Sequence, residues 1–192
     1  MTLLILGLII FLGVHSVRIF AEGWRTRMRE RLGANGWKGL VSVLSIVGFV
    51  LIVWGYGQAR LQPLVLWPSP TWTRHLASLL TLPAFVLLVA AYIPGNAIKA
   101  RLHHPMVLGV KAWALAHLLA NNTLADLLLF GGFLAWAVAS YTAAKRRDAA
   151  AGVVYLHGHA GPTVAVVVVG LVAWAGFAFW AHGAWIGVRP FG

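Results

Sequence analysis

Apolar residues fall in six long runs separated by short polar stretches, at residues 3–20, 40–56, 76–93, 105–120, 124–141 and 163–188. All but the fourth approach the roughly 20 residues a helix needs to cross the hydrocarbon core of a bilayer. The pattern predicts an all-α integral membrane protein, a polytopic bundle of about six transmembrane helices, with residues 1–192 forming a single transmembrane domain. The short fourth run opens with Pro105, which is favourable in the first turn of a helix and so marks its start. The first run has no basic residues before it and no small-residue cleavage site after it, so it reads as a retained span rather than a signal peptide.

The stretches between runs carry their own signals. "AEGWRTRMRERLGANGW" (21–37) sets Trp24, Met28 and Leu32 at helical spacing among four arginines, the pattern of a short amphipathic helix lying on the membrane surface. "ARLQPLVLWPSPTW" is Pro-rich and holds Trp67 and Trp72, as expected of an extended interfacial loop. Asn121 and Asn122 form a tight turn that makes runs four and five an antiparallel hairpin, with Thr123 as N-cap of the fifth. Residues 148–162 are small and Gly-rich.

Composition agrees: 60% of the residues are hydrophobic and 10% are charged, so the bilayer is the first partner. With no cysteine, disulfides, thiolate metal sites and cysteine nucleophiles are excluded. The net charge of +11 raises nucleic acid as a partner, and the placement of the charge removes it. Arg18, Arg25, Arg27, Arg29, Arg31, Lys38, Lys99, Arg101, Lys145, Arg146 and Arg147 fall on one side of the expected membrane, against Arg60, Arg74 and Arg189 on the other. That bias orients a bacterial inner-membrane protein with cytoplasmic basic loops and both termini periplasmic. No basic stripe is interleaved with exposed aromatics, so no nucleic-acid binding is expected.

Candidate chemistry lies in the few polar residues inside the runs. His15 and Arg18 share one helix face beside Gly13. A histidine there either hydrogen-bonds a neighbouring helix or marks a functional site. His103 and His104 precede Pro105 at the basic rim, where a solvated or headgroup-binding role is the alternative, and Lys111 can snorkel toward that rim. His117 lies thirteen residues beyond His104, about 20 Å of helix, with small Ala114 and Ala116 beside it and Trp113 as a wall. Two intramembrane histidines on different helices suit axial ligation of a flat macrocycle such as haem, with Arg18 pairing a propionate. His104 is a rival ligand. "LHGHAG" sets His157 and His159 two apart, a pair that pinches a metal only with further ligands. Asp126, in the first turn of run five, complements the helix dipole.

"GVHSVR", "GWKGL", "YIPGN", "HHPM" and "WALAHLLANNTLADLLLFGGFLAWA" resemble the NnrU family of bacterial membrane proteins, over most of the chain to about Arg147. That resemblance implies an association with nitrite and nitric oxide respiration. It also implies kinship with the zeta-carotene isomerase of plants and cyanobacteria, a membrane protein that uses haem b to isomerise a cis double bond in a lipophilic substrate. By motif, that enzyme's haem histidines fall on His15 and His117. The isomerase has a cysteine three residues before its second histidine, where this chain has Ala114. The His-Pro segment followed by Gly109 is also similar to isoprenylcysteine-type membrane methyltransferases, which bind S-adenosylmethionine. Those enzymes carry acidic residues near the C-terminal end, and here the last acidic side chain is Asp148. The expectation is a haem b protein with His15 and His117 as ligands. A methyltransferase and a non-enzymatic assembly factor for a respiratory complex are the alternatives.

Overall fold

A computed structural model describes residues 1–191, and among them the chain is helical with no strand beyond two isolated bridges. The helices are α1 (Thr2–Phe20), α2 (Glu22–Ala59), α3 (Trp72–Tyr92), α4 (Ala97–Leu102), α5 (Pro105–Ala120), α6 (Leu124–Ala150) and α7 (Ala160–Gly176). The last continues as a π-helix over Phe177–Ile186. Five stretches are long and apolar enough to cross a membrane: α1, α2, α3, α6 and α7 with its π-helical continuation; α5, at 16 residues, is the shorter sixth. The outward faces carry Ile9, Val43, Ile46, Val53, Leu79 and Val172, all exposed, where a water-soluble fold would bury them. The molecule is an all-α, multi-pass membrane protein.

The surface helix expected over 21–37 is the first part of α2. Gly33 breaks the helix with φ 72° and ψ 165°, a conformation open to glycine and strained for other residues. The break separates the arginine-rich segment from the span that follows, and Trp24 packs edge-on against Trp37 across it at 5.9 Å.

Each span packs on a neighbour in the order α2, α1, α6, α5, α3, α7. The α1–α2 contact is built on glycines, because without a hydrophobic drive between helices in lipid, close backbone approach supplies the attraction. A Cβ on Gly7 would lie 2.6 Å from the Ile52 nitrogen, and one on Gly48 would lie 2.8 Å from the Phe11 nitrogen. Gly7→Ala is therefore expected to prise the pair apart and cost about 1–3 kcal/mol, read as an earlier midpoint in detergent unfolding. An unchanged midpoint would show that α1 shifts without penalty. Beside this seam Leu4, Leu8, Ile52, Ala59, Ala125, Leu129 and Phe130 form the main buried cluster.

The Pro-rich loop after α2 is extended, as its sequence indicates, but it does more than hug the interface. Leu66 N donates to Asn122 O at 2.8 Å, Leu124 N to Leu64 O at 2.9 Å, and Asn122 Nδ2 to Trp67 O at 2.7 Å. The loop thereby roofs the α5–α6 hairpin on the face opposite the basic loops.

Candidate functional site

His117 sits in the last turn of α5, and its Nδ1 lies 2.9 Å from the Trp113 carbonyl one turn back. A carbonyl only accepts, so Nδ1 carries the proton and Nε2 is left as the basic nitrogen. Trp113 (5.1 Å between ring centres) and Phe130 (4.6 Å) hold the imidazole. Across from it lies His182, 6.5 Å away with 25° between the ring planes. His182 comes from the π-helical segment, a type of irregularity frequent at functional sites. The chain reverses at Gly187 (φ 76°), which brings the Val188 carbonyl within 2.6 Å of His182 Nδ1. This histidine too has its Nε2 free of the backbone.

Both rings line one cavity of about 670 Å³, within the ordinary size of a cofactor site. Its walls come mainly from α3, α5 and the π-helix, joined by Phe11 of α1, Phe49 of α2, Phe133 of α6 and Trp174 of α7, with Ser69, Asn121 and Asn122 from the roof. Aromatic rings dominate the lining, among them Phe85, Trp113, Phe133, Trp174 and Phe177, while Arg74 and Arg189 supply positive charge. Gly109, Ala77, Ala120 and Ala178 are small residues of the lining. Ala114 and Ala116, expected to leave a slot beside the imidazole, are fully buried against neighbouring helices.

His15 belongs to a different layer. Its Nδ1 bonds the Phe11 carbonyl at 2.7 Å, and its ring stacks on the Phe11 ring at 4.3 Å. Phe11 lines the cavity and His15 does not, so Phe11 stands between them. Rings run in series from His15 through Phe11, Phe133 and Trp113 to His117, each 4.3–5.7 Å from the next. Next to His15, 6.2 Å away, is Trp136, whose buried Nε1 has no hydrogen-bond partner. A Cβ on Gly13 would meet nothing within 4 Å, so the glycine makes no close approach there. Arg18 lies exposed on the basic face, paired with Glu22 at 3.7 Å. The structure thus brings His117 to His182, and leaves His15 and Arg18 outside the cavity.

On the basic face, His104 Nε2 bonds Asp148 Oδ2 at 2.6 Å, so this rival ligand has its outer nitrogen engaged. Tyr155 donates its hydroxyl to the same carboxylate oxygen. That bond, with a smaller contribution from burial, pushes the Tyr155 phenol up to about 12. His103 lies flat on the Tyr155 ring at 3.7 Å, and His159 caps the start of α7.

The family model for the NnrU protein matches residues 3–190. The chain belongs to the NnrU family. Neither the curated proteins nor the solved structures give a match. For this NnrU-family chain the donor set decides what the cavity suits. Among the described residues no group of three or more His, Cys, Asp or Glu side chains gathers to hold a bare ion. Two facing imidazoles fit instead a planar group that brings its own remaining donors, and Arg74 and Arg189 fit its acidic substituents. His182, Arg74 and Arg189 escaped the sequence reading because each lies near a span end, where a polar residue has an interfacial explanation. Tyr155 carried no signal at all.

Proposed function

We propose that this NnrU-family protein is a haem b protein of the bacterial inner membrane, with both termini periplasmic. It would serve redox chemistry linked to nitrogen-oxide respiration or the isomerisation of a lipophilic substrate. The observation that supports this reading is His117 presenting a free Nε2 to an aromatic-lined cavity whose opposite wall holds a second imidazole and whose lining includes two arginines.

His117 is the ligand on which the proposal rests. His182 would supply the second imidazole, since its ring faces that of His117 at 6.5 Å with 25° between the planes. His15, the partner indicated by motif, would take that role only if Phe11 left its stack on the His15 ring. Arg74 and Arg189 would hold the propionates, whereas Arg18, the choice from sequence, lies outside the cavity and is paired with Glu22. Haem would supply the redox or isomerisation chemistry, and the chain its orientation and exclusion of water. The methyltransferase alternative is weaker, because the last acidic side chain, Asp148, is already engaged by His104 and Tyr155.

The test is the oxidised and reduced absorption spectrum of the detergent-purified protein, with haem quantified as the pyridine haemochrome. One haem b per chain is the expected result. Protein that stays colourless after expression with added haem precursor sinks the proposal.

A further inference from the structure

On the basic face, two histidine motifs far apart in sequence, "RLHHP" and "YLHGH", enclose a second cavity of about 550 Å³. Its polar walls are Arg101, His103, Tyr155 and His157. Local chain geometry fixes both sides. Asn96, 1% exposed, accepts from Lys99 N at 2.7 Å and donates to the Ala90 carbonyl at 2.9 Å, which anchors the turn into α4. His159 N donates to Gly95 O at 2.8 Å, and Ala97 N donates to Thr163 Oγ1 at 2.8 Å. Gly158 lies so close that a Cβ there would overlap the Ala97 backbone. The loop before α7 is thereby seated on α4.

His103 adopts φ 65° and ψ −49°, the one non-glycine residue with positive φ among those described. Such strain persists only where surrounding structure holds it, and it concentrates at binding sites. Here the parallel stack on Tyr155 holds it, and Asp148 holds Tyr155 in turn. The lining contains no carboxylate. Asp148, which bonds the wall residue Tyr155, is also bonded to His104. Arg101 forms no ion pair among the described residues. Lys145, Arg146 and Arg147 lie close by in sequence to Asp148, adding to the positive field at this face.

We propose that this cavity binds a phosphate-bearing anion, with the Arg101 guanidinium as its fork and the His103 and His157 imidazoles as further donors. A guanidinium matches phosphate oxygens in a bidentate fashion, and imidazole N–H groups complete the shell. The same chemistry accepts a phospholipid headgroup or a soluble phosphate compound. The site is separate from the His117 cavity and stands whether or not that cavity holds haem.

The full chain, reconstituted in phosphatidylcholine nanodiscs, is titrated calorimetrically with inorganic phosphate. In a second arm the detergent-purified chain is mixed with phosphatidic acid and adducts are counted by native mass spectrometry. Saturable binding is expected in at least one arm. Arg101→Gln should weaken it about tenfold, His157→Gln should weaken it in the same direction, and Arg29→Gln, on the same face outside the cavity, should leave it unchanged. Binding of inorganic phosphate identifies a soluble ligand; binding of phosphatidic acid alone identifies a headgroup. No saturable binding in either arm overturns the proposal. So does a loss with Arg29→Gln equal to that with Arg101→Gln, which would mark general attraction to a basic surface.

Discussion

Purified His117→Ala protein is expected to carry no haem b, while His104→Ala protein carries as much as the parent. Both residues are histidines on α5 or its cap, and what separates them is the use of their nitrogens. His104 commits Nε2 to Asp148, so releasing it for a metal would break a charge-assisted bond. His117 spends Nδ1 on its own helix and holds Nε2 toward the cavity, the arrangement by which a second hydrogen bond fixes and strengthens a metal-ligating imidazole. On the proposed reading, removing it would delete the metal bond, which the remaining aromatic lining would not replace through purification. The other axial position is settled by His182→Ala and His15→Ala, each read by the spin state of the bound haem. Loss of the low-spin signal in His182→Ala alone places the pair across the observed cavity. Loss in His15→Ala alone means that Phe11 turns aside when haem enters. Full haem content in His117→Ala would defeat the assignment of that residue.

The architecture was legible because a bilayer leaves the backbone few options. Long apolar runs had to be helices, and the basic loops separated one face from the other. Thr123 and Pro105 marked helix starts through local chemistry that needs no tertiary context, and both stand where expected. His15 and His117 were legible as polar residues inside apolar runs. Their mutual position was not, since it depends on where Phe11, Phe133 and Trp113 lodge between the helices. Depth along the spans already hinted at the difficulty: α5 places His117 near the roof, whereas α1 places His15 toward the basic face. His182 was hidden for another reason. It reaches the cavity because α7 widens into a π-helix and reverses at Gly187, and a hydropathy pattern registers neither event. The link from His103 and His104 to Tyr155 and Asp148 joins separate segments through side chains, which periodicity along one helix does not report.

Asp126→Ala is expected to cost about 2–4 kcal/mol of stability, as the lost cap and a part-buried hydroxyl left without its partner combine. From sequence this carboxylate complements the α6 dipole; the structure gives it two further tasks. Its Oδ2 accepts from Thr123 N at 3.0 Å and Thr123 Oγ1 at 2.6 Å, while Thr123 Oγ1 accepts from Asp126 N at 3.2 Å, closing a capping box. Its Oδ1 accepts from the Tyr56 hydroxyl at 2.5 Å, which ties the start of α6 to the end of α2. Asp126 is 5% exposed, so the Tyr56 hydroxyl loses an acceptor on the buried side of its ring. Tyr56→Phe removes only the donor and leaves the capping box intact, so about 1 kcal/mol is expected there. Adding Tyr56→Phe to Asp126→Ala should then recover part of the loss, because the stranded hydroxyl is gone, and a double-mutant cycle in detergent unfolding measures that coupling. A cost below 1 kcal/mol for Asp126→Ala would show that the roof loop alone fixes this end of the bundle. The effect should also reach the cavity. Phe130, one turn along α6 from Asp126, packs against the His117 ring, so loosening the start of α6 shifts a wall of the site. Asp126→Ala should therefore bind haem less tightly than the parent without abolishing it, which separates loss of the wall from loss of the ligand.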